Sequence, residues 1–224
     1  MSRSPQPTAA PAARQAATLT TTATAHDVVL FDMFGVIAHH QSEDGKTRLA
    51  RIAGGSEQAF WDAYWALRQP YDRGDVTGAE YWARVADALG TDFEEARIAR
   101  LVEADLASWS AVDDTMVALI EELAAAGRPI ALLSNIPEEL AAHYEERHSW
   151  LGHFQVRAFS CRIGHAKPES GAYQWCLDAL DTEPGRVLFV DDREENIRAA
   201  EAVGVAGHLF TSAARLREVL RLSA

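Results

Sequence analysis

The sequence predicts an α/β protein: a doubly wound, parallel, Rossmann-like sheet with a small all-helical cap inserted after the first strand. Three observations predict it. From residue 113 onward, short apolar runs alternate with helical stretches, the pattern of parallel strands joined by right-handed crossovers. One earlier apolar run, Val28 to Phe31, stands apart from these. Between them, residues 44–110 show helical periodicity and no buried-strand pattern.

The elements follow in order. Residues 1–25 are mostly Ala, Thr, Ser and Pro, and cannot bury enough surface to offset the entropy of ordering. They read as a disordered tail, without the apolar centre of a signal peptide. Val28 to Phe31 reads as a strand buried on both faces, with Asp32 at its carboxyl end and Gly35 three residues later. His39, His40 and Gln41 then lead away from that edge. In AFWDAYWALRQPY, the spacing puts Phe60, Trp61, Tyr64 and Trp65 on one helical face. Thr77 and Glu80 have capping-box spacing, followed by a stripe of Tyr81, Trp82, Val85 and Leu89. Gly90 closes that helix, and Thr91 is read as the cap of the next, through Ile98 and Leu101.

An amphipathic helix from residue 113 to Gly127 leads into a second strand, Ile130 to Leu133, ending in Ser134 and Asn135. A helix from Glu138 to about His148 precedes a third strand, Val156 to Cys161. Lys167 then sits in a loop before a helix that is read as starting at Pro168. A fourth strand, Val187 to Val190, ends in Asp191 and Asp192, and Asn196 opens the helix after it. AGHLF is a short fifth strand and RLREVLRL a closing helix. The expected organisation is a tail at 1–25, an α/β core at 26–40 and 111–224, and a cap at 41–110.

Composition narrows the function. A net charge of −12 over 224 residues argues against nonspecific binding to nucleic acid or anionic membranes. An anionic substrate must then be held by local positive groups or a metal. No run is apolar enough to span a bilayer. Cys161 and Cys176 are the only cysteines, which fits reduced thiols in a cytoplasmic setting.

Parallel strands bring their carboxyl ends to one edge, where open α/β sheets bind ligands. That edge would collect Asp32, Ser134, Asn135, Lys167, Asp191 and Asp192. Three carboxylates with a lysine, a hydroxyl and helix N-termini suit a hard divalent cation together with a phosphate.

The segments FDMFGV, LLSN, AKPE and FVDDREEN, in this order, resemble the haloacid dehalogenase (HAD) superfamily from Val28 to the C-terminus. The insertion is similar to the helical cap of the subgroup holding sugar-phosphate phosphatases and 2-haloacid dehalogenases. The resemblance implies a hydrolase with Asp32 as nucleophile, forming an aspartyl-phosphate and ligating Mg²⁺. Ser134 and the Asn135 backbone would bind the phosphoryl oxygens. Lys167 would neutralise Asp32 and the phosphoryl group. Asp192 would ligate the metal directly and Asp191 less directly, with Asn196 orienting their loop. The Phe34 backbone carbonyl would complete the metal site.

The Phe34 side chain departs from the phosphatase pattern, which has a general-acid aspartate there. Dehalogenases of the family carry an aromatic residue at this position. The resemblance thus implies a phosphatase of a small organic phosphate, with an apolar or ring-containing substrate suggested by the cap aromatics. Its alternatives are a 2-haloacid dehalogenase, an enzyme acting on a prenyl diphosphate in the manner of a terpene cyclase (DDREE contains a DDxxE string), or a non-catalytic binding module. Should a proton donor be needed in place of Phe34, His39 and His40 are the candidates. The oligomeric state is not legible.

Overall fold

The computed structural model describes residues 26–222, so the expected tail at 1–25 lies outside the described residues. The chain opens with β1 (Val28–Phe31). Five helices follow: α1 (Glu43–Ala53), α2 (Glu57–Ala66), α3 (Arg68–Asp72), α4 (Gly78–Ala88) and α5 (Glu95–Ser108). Then come α6 (Asp114–Ala125), β2 (Ile130–Ser134), α7 (Glu138–Arg147), β3 (Val156–Phe159), α8 (Ser160–Ile163) and α9 (Ser170–Leu180). The last elements are β4 (Val187–Asp191), α10 (Glu194–Ala202), β5 (Ala206–Leu209) and α11 (Ala213–Leu220).

All strand pairs are parallel, in the order β3-β2-β1-β4-β5, as the α/β reading requires. β1 is central, which explains why it is apolar throughout. Val29 and Phe31 enter one core with Ile130, Leu132 and Val190, while Val28 and Leu30 enter the other with Ala131, Leu133 and Phe189. The period-2 alternation of a strand thus serves two helix-covered faces. A third apolar cluster lies within α1 to α5, built on Phe60, Tyr64, Tyr81, Trp82 and Leu101. The chain enters and leaves this helical layer side by side: Ala38 bridges Val112 antiparallel, and the His39 N–H donates to Ala111 O at 2.9 Å.

Local expectations mostly hold. The Thr77–Glu80 capping box is complete. Several boundaries move; α10 opens at Glu194, ahead of Asn196, and α11 spans Ala213–Leu220, two residues earlier than read. Thr91 does not cap α5; its N–H donates to Ala86 O, and the Gly90 N–H to Asp87 O, closing α4 with Gly90 at φ +67°. That double bond satisfies the last carbonyls of α4. α5 starts later, after Glu94, with Phe93 buried ahead of it. The third strand stops at Phe159, because the Ser160 hydroxyl turns away to accept from the Ile136 N–H at 2.8 Å. The helix after Lys167 begins at Ser170 rather than at Pro168.

Among the described residues, no helix is long and apolar enough to cross a membrane.

Candidate active site

Asp32 follows the last residue of β1 and is only 6% exposed. Its Oδ1 accepts from the Met33 N–H at 2.6 Å and lies 2.5 Å from Lys167 Nζ. The same ammonium donates to Asp191 Oδ2 at 2.8 Å. One lysine thereby joins the ends of β1 and β4 from a loop beyond β3. That loop is held by Asn135, whose Oδ1 accepts from the Lys167 N–H and whose Nδ2 donates to Lys167 O, both at 2.8 Å. The sequence reading placed Asn135 against phosphate through its backbone; the side chain has this second task.

Asp191 is fully buried and its oxygens are taken. Besides Lys167, they accept from the Arg193 N–H at 2.8 Å and from Asn196 Nδ2 at 3.0 Å each. These donors hold the Asp191 carboxyl below its ordinary range although burial opposes them. Asp32 behaves oppositely: burial pushes it up to about 8, Lys167 pulls it back, and Asp191 adds to the rise. One ammonium faces both acids, and Asp191, with more donors, is the one held ionised while Asp32 keeps its proton to higher pH.

Asp192 supplies the third carboxylate. Its Oδ2 sits 2.9 Å from His40 Nε2, while its Oδ1 is buried without a hydrogen-bond partner among the described residues. Histidine 40 therefore does not lead away from the edge as the sequence suggested. The chain turns back at Gly35, which has φ +88° and where a Cβ would fall on the Asp192 carboxylate and crowd His40. His39 stays exposed.

Asp32, Asp191 and Asp192 each offer an oxygen within 4.8 Å of the others. Three converging carboxylate oxygens, with Asp192 Oδ1 lacking a partner among the described residues, fit a hard divalent cation. Ser134 ends β2 with a fully buried hydroxyl that also lacks a partner among the described residues.

A cavity of about 410 Å³ opens above these groups. Asp32, Asn135, Lys167, Asp192, Arg193 and Asn196 form its polar floor. Its other wall holds Phe34, Trp65, Trp109, Arg68 and Asp72. The Phe34 ring packs edge-on against Trp109 at 4.9 Å and Tyr144 at 5.6 Å. The expected four-aromatic face of α2 divides: Phe60 and Tyr64 are buried in the helical core, whereas Trp65 is 52% exposed and reaches the cavity.

The sequence reading missed the polar cluster behind that wall. Arg68 is 6% exposed; its Nε donates to Asp72 at 2.6 Å and its Nη1 to Asp105 at 3.0 Å. Asp105 also accepts from the Tyr64 hydroxyl at 2.7 Å and from Gln41 at 3.3 Å. The Arg68–Asp72 spacing of four was a readable helix pair. Nothing in the sequence pointed to Asp105 as its partner.

A family model described as haloacid dehalogenase-like hydrolase matches residues 26–204. The chain belongs to this family. Among curated relatives, the sesquiterpene phosphatase astK of Aspergillus oryzae is 34% identical over 111 residues, which is 49% of this chain and 57% of that protein. Bifunctional epoxide hydrolase 2 of Mus musculus is 35% identical over 72 residues, covering 32% of this chain and 13% of that protein. The chain thus matches little more than half the length of the first of these relatives and far less of the second. Among solved structures, a HAD family enzyme from Bacteroides thetaiotaomicron has a TM-score of 0.75 at 17% identity, over 88% of this chain and 98% of that one. The same enzyme has been crystallised with magnesium and inorganic phosphate. L-2-haloacid dehalogenase from Xanthobacter autotrophicus scores 0.62 at 18% identity, over 88% of this chain and 84% of that one. At these identities the likeness is one of fold.

Proposed function

We propose that this HAD-family chain is a Mg²⁺-dependent phosphatase that hydrolyses a small organic phosphate through an aspartyl-phosphate on Asp32. The observation that carries the reading is the Lys167 ammonium lodged between Asp32 and Asp191, beside an Asp192 oxygen with no partner among the described residues. A halide displacement needs no cation; a phosphoryl group does, and a third carboxylate with an unpartnered oxygen helps to hold one.

Asp32, Asp192 and the Phe34 carbonyl would hold the ion, with Asp191 fixing Lys167 and the loop. Magnesium, when bound, supplies positive charge against the phosphoryl oxygens. Asp32 attacks phosphorus, splitting hydrolysis into two easier steps. Lys167 neutralises charge on Asp32 and on the transferring group. The Ser134 hydroxyl gains in a phosphoryl oxygen the partner it lacks. Asn135 offers its backbone N–H to the same group while its side chain keeps Lys167 in place. Asn196 anchors Asp191. Helices α1 to α5 act as the cap, with the core at 26–40 and 111–224.

The aromatic wall of Phe34, Trp65 and Trp109 supports a substrate with an apolar body. The relative named as a sesquiterpene phosphatase supports the same direction, which makes prenyl phosphates the first class to try. The test is phosphate release from prenyl, sugar and nucleoside phosphates, with Mg²⁺ and with chelator. Turnover should need Mg²⁺ and vanish in Asp32→Asn with the fold intact. Activity of that variant within about tenfold of the parent would remove Asp32 as nucleophile.

A further inference from the structure

A phosphatase of this kind needs a group that protonates the departing oxygen and later activates water, and Phe34 cannot do either. Three carboxylates line the cavity: Asp32, Asp192 and Asp72. The first two belong to the acidic cluster on the sheet edge. Asp72 comes from α3, on the opposite side. An in-line displacement by Asp32 sends the leaving oxygen away from β1, toward that helical layer.

Asp72 is firmly placed. Its backbone carbonyl accepts from the Ser160 hydroxyl, which in turn accepts from the Ile136 N–H just beyond Asn135. The neighbouring Arg73 pairs with Glu169 at 2.8 Å, two residues past Lys167. α3 is thus pinned to the loops that build the floor of the cavity.

Its surroundings suit a carboxyl that holds a proton. Arg68 faces two acids at once, Asp72 and Asp105. Asp105 accepts from three side chains, Arg68, Tyr64 and Gln41, while the Asp72 carboxylate accepts from Arg68 alone among the described residues. Burial raises the Asp72 carboxyl above its ordinary value; Arg68 opposes the rise and Asp105 adds to it.

We propose, building on the phosphatase reading above, that Asp72 is the general acid and base of this enzyme, supplied by the helical layer in place of the carboxylate that Phe34 replaces. In the first step Asp32 forms a bond to phosphorus, the phosphorus–oxygen bond to the alcohol breaks, and the Asp72 proton passes to that oxygen. In the second, water bonds to phosphorus and gives a proton to Asp72 carboxylate. The bond from phosphorus to Asp32 breaks, releasing phosphate and restoring both residues.

The test compares Asp72→Asn with the parent in Mg²⁺, on p-nitrophenyl phosphate by stopped flow and on an alkyl phosphate by phosphate release. Asparagine keeps an acceptor for Arg68 Nε but has no proton to give. A nitrophenolate leaves without protonation, so the variant should show a burst of about one nitrophenolate per chain, then turnover slowed by about 10²–10⁴-fold. Alkyl-phosphate turnover should fall by a similar factor with no burst of alcohol. Steady-state rates within about threefold of the parent would overturn the assignment. So would loss of the burst itself, which marks a damaged site and not a missing proton. A parent inactive on both esters and on the prenyl, sugar and nucleoside phosphates above refutes the phosphatase reading and takes this assignment with it, a failure seen before any variant is made. If Asp72→Asn does not fold, Asp72→Ala is assayed with added formate. Restoration of alkyl-phosphate turnover by formate supports the proton role, and no response to formate overturns it.

Discussion

Replacing Lys167 by methionine removes one ammonium and keeps most of the side chain's length and volume. The lost partners are Asp32 at 2.5 Å and Asp191 at 2.8 Å, all three side chains being almost wholly buried. Each contact corresponds to about 6 kcal/mol of attraction at an effective dielectric near 20. Most of that is offset, because burying the ammonium itself costs several kcal/mol. Removing one partner of a buried pair typically costs about 3–5 kcal/mol, and that is the loss expected in chelator at pH 8. The loss should depend on pH. A carboxyl whose folded pKa exceeds its unfolded value stays protonated in the folded chain while the unfolded chain ionises. Stability therefore falls as pH rises between the two values. For Asp32 the window runs from 3.8 to about 8, and removing Lys167 extends it upward. At pH 5 Asp32 is protonated with or without Lys167, so the variant should lose less there. Urea unfolding followed by circular dichroism at pH 5 and 8, with chelator and with millimolar Mg²⁺, measures this directly. Mg²⁺ should restore part of the loss at pH 8. A loss below about 1 kcal/mol, or one equal at both pH values, would refute the reasoning that Lys167 is the counter-charge of this site.

Asp192→Asn should weaken the Mg²⁺ affinity read from activity more than it weakens folding, because its Oδ1 has no hydrogen-bond partner to lose among the described residues; Asp191→Asn should do the reverse, since it removes one of the two carboxylates that hold the buried Lys167. Titration of activity against Mg²⁺ alongside unfolding curves separates the two, and identical behaviour would contradict the division of roles. Trp65→Ala should shift the ranking of substrates by apolar size while costing little stability. Trp82→Ala, fully buried, should cost about 3–5 kcal/mol and leave the ranking intact. An unchanged ranking in Trp65→Ala, read from kcat/KM across a chain-length series, would discard the aromatic wall as a specificity element. Gly35→Ala should lose activity steeply, since its Cβ falls on the Asp192 carboxylate; full activity at normal Mg²⁺ affinity would show that the loop can yield.

The number of core strands, their buried character, their parallel sense and the residues at their ends were legible in the sequence; their order across the sheet was not. Val28 to Phe31 had to be a strand covered on both faces because four consecutive apolar residues need it; its central place in the sheet came from the structure. Asp32, Ser134, Lys167 and Asp191 had to share an edge because parallel strands end on the same side. Capping signals fixed α4, down to the Thr77–Glu80 pair. Periodicity, however, reports which residues share a face and not what that face meets. Phe60 and Trp65 lie on one stripe, yet Phe60 is buried against Trp82 in the helical core while Trp65, about a turn and a half on, is half exposed and lines the cavity. His40 reads as leading away from the edge, yet the turn at Gly35 brings its ring, still exposed, to Asp192. Arg68 and Asp105, 37 residues apart, become partners only when α3 packs near α5 and their charges, once buried, have no water to satisfy them. Asp72 likewise comes to the cavity through contacts far apart in the chain, the Ser160 hydroxyl 88 residues on and the neighbouring Arg73–Glu169 pair. Local chemistry wrote the floor of the site into the sequence; the wall was decided by packing, which alone sets the neighbours of residues far apart in the chain.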